Sequence, residues 1–428
     1  MQEVLNQRIE TAKASASYLP SEERTKAMTW LQANGLPHAK AEEYKYTHLT
    51  KVLEKEFSLQ AGVAKSVVTK EQLSGLLFES VEAHHVVLVD GVFAPELSRI
   101  AADSKQLEIS AFHEAQQKPA YLQYAAKEAH AEADPFIALN TAFASNGLFI
   151  EVKRGAAVEL PVILYHISSA SDAKPVIYPR NLIVVGENAQ VKLVEHYITL
   201  GEAATFTNSV TEIVCQQDAL VDYYKLQFNN PSAHQVGTTQ VLQVKKSVFT
   251  ATTVSLDGKM LRNNLNIVMD DEHCESNMWG LYLLNGKSHV DNHTMVDHRK
   301  PNALSNENYK GIMDGNSTAV FNGKIFVRQD AQKTNAFQSN RNILLSNDAS
   351  VNTKPQLEIW ADDVKCSHGC TIGQMDEEQL FYLRARGLSY ESARAMLLHA
   401  FAADVIQNIK IEGIRTLLEE LIIERLSK

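Results

Sequence analysis

The sequence predicts a mainly β protein, a β-solenoid core flanked by helical segments, and three observations point there. From about residue 147 to 360 nearly every apolar stretch is a short β-type run. Gly, Asn, Asp and Ser separate these runs, with no helical segments between them. A short pattern also recurs in this region: an acidic or amide residue, then Ala, then a variable residue. Outside it, apolar residues return at spacings of three and four, the helical period.

Taken in order, a first helical stretch ends near Leu19, where Pro20 breaks it. Ser21 offers an N-cap to a helix over Glu22–Ala33, which Asn34-Gly35 stops. His85 to Gly91 reads as a buried strand entering a turn, and Pro119 to Glu132 as a helix with Pro at its first position. The β-type runs follow at 148–152, 182–185, 191–194, 221–226, 241–244 and 320–327. The repeat reads Asn188-Ala189-Gln190, Asp218-Ala219-Leu220, Asp330-Ala331-Gln332 and Asp348-Ala349-Ser350, with Ser247, Cys274 and Ser288 marking intermediate turns. Strand and tight turn repeated over about 200 residues suit a solenoid, whose coils bury their inward faces on one another. A β-sandwich also gives many short strands, but rarely this many.

Beyond Gly373 the period is helical. Asp376 with Gln379 resembles a capping box for a helix that Gly387 stops, and Ser389 caps the next. That helix places Ala393, Met396, Leu397, Ala400, Phe401 and Val405 on one face. The last carries a stripe of Ile414, Leu417, Leu418, Leu421, Ile422 and Leu426, which either packs within the chain or docks a partner. The expected division is 1–135 mainly helical, 136–372 solenoid and 373–428 helical.

Composition narrows function. The chain has 41 basic and 51 acidic side chains, a net charge of −10, which argues against a general nucleic-acid binder. No apolar run approaches the roughly 18 residues that span a bilayer, and the start lacks a secretory signal. Four cysteines, Cys215, Cys274, Cys366 and Cys370, are too few for a disulfide framework. A cytoplasmic location is expected.

The most informative stretch is Lys365-Cys366-Ser367-His368-Gly369-Cys370. In a strand, alternate side chains share a face, so Cys366, His368 and Cys370 are candidates to converge on one ion. Thiolate and imidazole favour zinc or iron over magnesium or calcium, but a closed site needs a fourth ligand. The competing reading is buried thiols and a hydrogen-bonded histidine. Glu272-His273-Cys274-Glu275 reads as a solvated loop. His289, His293 and His298 with Asp291 and Asp297 give a weak metal signal. Asp362 and Asp363 read as turn residues. Phosphate-loop, nucleophile-elbow and zincin motifs are missing, so no catalytic residues are expected.

The run from Pro355 to Gly369, continued by Gly373 to Gly387 and preceded by Asn335 to Ser346, closely resembles the SufB/SufD family. Glu42-Glu43-Tyr44-Lys45-Tyr46-Thr47, Asp90 to Ser98 and Asp134 to Phe143 resemble its SufD branch, with Tyr44 where Trp is usual. The resemblance runs from about residue 40 to 405. It implies a right-handed parallel β-helix with flanking helical domains. It also implies a non-catalytic scaffold for iron–sulfur cluster assembly, working with the ATPase SufC and paired through its solenoid with SufB. His368 and Cys366 are then candidate iron or cluster ligands at the SufB interface. Cys370 stands where the family usually has Ala, and its role is open. Met396, Leu397 and Phe401 lie in the implied SufC-docking region. No tightly bound cofactor is expected in the isolated chain, only transient iron or an iron–sulfur cluster at that interface, and a homodimer is an expectation for the chain alone. The rival class is a polysaccharide-cleaving enzyme on a β-helix, since fold alone does not fix function.

Overall fold

Strands of nine to eleven residues follow one another from Gln190 to Gly373, joined by turns too short for a crossover helix. Such strands cannot pair in parallel with their immediate successors, because that needs a long crossover. Each instead pairs in parallel with the next but one: Leu220–Phe228 lies between Gln190–Leu200 and Val248–Asp257. Two facing parallel sheets result, and the chain winds between them as a β-solenoid. The computed structural model describes residues 1–57, 59, 68–101, 105–169, 174 and 176–426.

The coil length is set at one stack of turns. Asn188, Asp218, Lys246, His273, Asn302 and Lys333 all have positive φ, between 54° and 63°, at intervals of 27 to 31 residues. Each is followed by a small or compact buried residue: Ala189, Ala219, Ser247, Cys274, Ala303 and Thr334. Asn and Asp tolerate this left-handed backbone best and hold three of the six turns; the repeat read from the sequence includes Asn188 and Asp218 but misses Asn302. The expected repeat needs correcting at its far end. The left-handed residue near Asp330 is Lys333. Ser288 and Ala349 belong to the opposite stack, where they precede the strand starts His289 and Ser350, both in register with Thr318.

Helices cover both outer faces. Gln2–Lys13, Ser21–Asn34, Leu49–Glu56 and Pro135–Phe143 pack with Leu182, Phe206, Val214 and Val236 on one sheet. Tyr390–Ile406 and Glu412–Leu426 pack with Tyr165, Val194, Tyr224 and Leu281 on the other. The stripe of Ile414, Leu418, Ile422 and Leu426 is thus used within the chain. On the preceding helix the buried face is Ala393, Leu398, Ala402, Val405 and Ile406, rotated from the expected one, and Met396 is exposed. Two early strands also join the sheets, His84–Val89 in one and Leu107–Ala111 in the other.

The first helix ends at Lys13, ahead of Leu19, and Ser21 is the first residue of the second helix, with Pro20 at the cap. The helix expected over Pro119–Glu132 stops at Tyr124. Its continuation is captured by a buried carboxylate. Glu212 accepts the backbone N–H groups of Ala126, Glu128 and Ala129, each at 3.0 Å. It also pairs with Arg180 at 2.7 Å, and both side chains are fully buried. Arg180 in turn donates to Asn140 Oδ1 and Thr141 Oγ1. Removing one partner of a buried pair leaves an uncompensated charge. Glu212→Leu, which also orphans three N–H donors, should therefore cost roughly 3–5 kcal/mol in denaturant unfolding. A cost below about 1 kcal/mol, the range of an exposed ion pair, would show that Glu212 does not organise this cover.

Candidate functional site

The predicted site residues lie on the last strand of the solenoid, Val364–Gly373, which pairs with Thr334–Leu344 on one side only. Its companion in the other sheet, Ser350–Ile359, is likewise terminal. Paired residues in a parallel ladder project their side chains to the same face. Ala336, Gln338, Asn340 and Asn342 are buried, and their partners are Cys366, His368, Cys370 and Ile372. The alternation read from the sequence therefore holds, and this set faces the solenoid interior while Lys365, Ser367, Gly369 and Thr371 face outward.

No further coil covers them among the described residues. His368 and Cys370 are exposed, and Cys366 is half-buried against the cluster of Ile325, Val327, Ala331 and Ala336. Burial pushes the Cys366 thiol up, against a backbone hydrogen bond at Ala336. Ile359 and Ile372 stand in register with buried Val327 and Asn342, yet are 40% and 50% exposed. The inward face thus ends open.

Sharing a face does not make the three residues one ligand set. Strand rise places Cys366 and Cys370 about 13 Å apart along the backbone, beyond the joint reach of two cysteine side chains with metal–sulfur bonds of about 2.3 Å. Among the described residues no group of three or more His, Cys, Asp and Glu is arranged to hold a metal ion. Convergence of all three on one ion is therefore corrected to a row of separate donors.

Behind His368 the inward column continues with Gln338 and then Glu307, in register across three strands. Gln338 Nε2 donates to Glu307 Oε2 at 2.8 Å. Burial pushes the Glu307 carboxyl up to about 7, although the Gln338 hydrogen bond works the other way. Sequence reading missed this pair. An isolated Glu in a β-type run gives no signal until the register is known.

The weaker candidates have structural roles. His273 is a left-handed turn residue with an exposed side chain, and Cys274 is buried beside it, its Sγ donating to the Asp271 carbonyl. His289, Asp291 and His293 anchor the Glu42–Thr47 motif. Thr47 Oγ1 donates to Asp291, Arg262 pairs with Asp291 at 2.8 Å, and Arg262 lies 4.2 Å from the Tyr44 ring centroid. Tyr44 donates to Asp134, the N-cap of Pro135–Phe143. Burial works to raise the Asp291 carboxyl, but Arg262 and His293 overcome it and hold it well below the usual carboxylate range. His298 hydrogen-bonds Ser305 inside the solenoid, and Asp297 pairs with Arg299 and Arg328.

In the expected docking region, Met396 is exposed and Leu397 half-buried. Phe401 is half-buried beneath Lys310, whose Nζ lies 4.5 Å from the ring centroid and donates to the Phe401 carbonyl. Phe381 and Tyr382 on the helix Glu377–Ala385 are exposed nearby in sequence. No helix among the described residues is long and apolar enough to cross a membrane.

Comparison with known proteins finds matches along most of the chain. Residues 2–164 match the SufBD protein N-terminal region, and residues 166–401 match the SufBD core domain of SUF-system FeS cluster assembly. The chain is 32% identical over 387 residues to the iron-sulfur cluster assembly protein SufD of Escherichia coli, spanning 90% of this chain and 88% of that one. It is 31% identical over 399 residues to an iron-sulfur cluster assembly SufBD family protein of Synechocystis, spanning 90% and 87%. SufD of Bacillus subtilis is 27% identical over 297 residues, spanning 67% of this chain and 65% of that protein.

The raised Glu307 carboxyl makes stability depend on pH. Its usual value is 4.5, so between pH 4.5 and about 7 the unfolded chain releases a proton that the folded chain keeps. Stability then falls as pH rises through that window, by on the order of 3 kcal/mol. Glu307→Gln should remove this slope, raising unfolding free energy at pH 8 and changing it little at pH 4.5. Parallel pH profiles of the two proteins in urea would refute the assignment.

Proposed function

The chain belongs to the SufBD family of iron–sulfur cluster assembly proteins, and on that basis we propose that it is a non-catalytic scaffold subunit of a SufB–SufC–SufD complex. Its open terminal coil meets SufB, and the iron or nascent cluster is cargo held between the two chains. The observation that carries this reading is the uncapped inward row of Cys366, His368, Cys370 and Ile372 on a strand with one free edge. An unpaired strand edge with apolar inward residues favours extension by another chain. The donor row is incomplete for one ion, so a partner's ligands complete it. His368 acts as neutral imidazole, as a metal ligand must. Cys366 is the second donor, and Cys370 an additional thiol on the same row.

SufC docks on the C-terminal helices. The inner faces of the two last helices are used within the chain, which leaves the outward side near Met396, with Leu397 at its margin and Phe401 fixed beneath. ATP binding by SufC moves these helices, and the motion reaches the terminal coil through the sheet on which they pack. The protein acts in the cytoplasm.

His368→Ala in the co-expressed complex should reduce the iron and sulfide retained after anaerobic reconstitution by about 10-fold or more, with the complex still assembled. Retention equal to the parent would remove the ligand role and leave an interaction module. Met396→Glu should weaken co-purification of the ATPase several-fold without changing the melting temperature of the isolated chain. Undiminished co-purification would put the docking surface elsewhere.

A further inference from the structure

Gln338 is held on one side and free on the other. Its Nε2 donates to Glu307 Oε2 at 2.8 Å, while its Oε1 is buried and has no hydrogen-bond partner among the described residues. The residue is 3% exposed, so water does not readily satisfy that oxygen. A buried acceptor left without a donor is unfavourable, so this oxygen favours a partner. Space for the carboxamide is built in from the opposite sheet. Gly323 faces it, and a Cβ there would collide with Gln338 Nε2. The next side chain along the inward column is His368, one rung away, about 4.8 Å along the ladder.

We propose that Gln338 is a positioning residue for His368. The structure does not hold this contact: a rotation of the exposed His368 side chain brings its imidazole N–H to the free Oε1, and Glu307 fixes the carboxamide that receives it. This selects one neutral tautomer and leaves the lone pair of the other ring nitrogen aimed at the open end. Metal-binding histidines are generally oriented by such a partner on the non-ligating nitrogen. Here the amide oxygen serves, with a carboxylate one step further back. The inference rests on the proposed ligand role of His368, but its geometry is testable separately.

The test uses the full chain with 15N-labelled histidine, where ring-nitrogen shifts report tautomer populations at a pH where His368 is neutral; His368→Ala assigns the signal. The expected parent spectrum shows a single tautomer. Gln338→Met, of similar size with no acceptor, should give a mixture, and Gln338→Glu, which restores an oxygen, should return the single form. If Gln338→Met fails to fold, Glu307→Met provides the same reading by releasing the carboxamide. In the co-expressed complex, Gln338→Met should lower retention of iron(II) about 10- to 100-fold. Tautomer populations equal in the parent and in a folded Gln338→Met chain overturn the proposal. If instead His368→Ala retains iron while the tautomer result stands, the ligand role fails and the positioning contact survives.

Discussion

A strand in a parallel solenoid is complete only when it has a neighbour on each side, and the rest of this molecule depends on that requirement. Every interior coil satisfies it through the next-but-one pairing of strands. The coil length, the stack of left-handed turns and the small residues that follow them all serve to bring the following strand into register. At Ser350–Ile359 and Val364–Gly373 the pairing stops on one side, and the inward row that is buried elsewhere is left open. The stretch Lys365–Cys370 sits on that open rung.

The remaining structure covers the solenoid on both outer faces. The attachment of the covering helices relies on buried charge as well as apolar contact. Arg180 with Glu212 ties the segment after Tyr124 and the helix Pro135–Phe143 to one sheet. Arg262 with Asp291 ties the Tyr44–Thr47 segment to the same sheet, through a ring contact and a hydroxyl. On the other sheet, Lys310 reaches both the Phe401 carbonyl and Asp404. Buried pairs contribute little net stability compared with apolar packing of similar volume. Their geometric demands, however, fix where each cover sits, and this chain uses them where a sequence-distant segment must land in one place.

Much of the fold was legible in the sequence because β-type runs and turn residues are local signals. Asn188 and Asp218 betray their turns because their side chains tolerate left-handed backbone. Lys246, His273 and Lys333 occupy equivalent positions and betray nothing. The helix expected to reach Glu132 fails because Glu212, some 80 residues later, takes its N–H groups, and no local propensity records that. Alternation correctly put Cys366, His368 and Cys370 on one face. What it left out was strand rise, which separates them, and the terminal place of their strand in its sheet. Gln338 and Glu307 were invisible because they become neighbours of His368 only through a register spanning about 60 residues.

The most direct measurement is backbone hydrogen exchange on the chain alone and in its assembled complex. If the open coil is where a second chain continues the solenoid, amides of residues 350–373 should exchange readily in the isolated protein. They should gain strong protection on assembly, with the coils between Gln190 and Met313 little changed. Unaltered exchange across residues 350–373 in a complex that has formed would contradict the account.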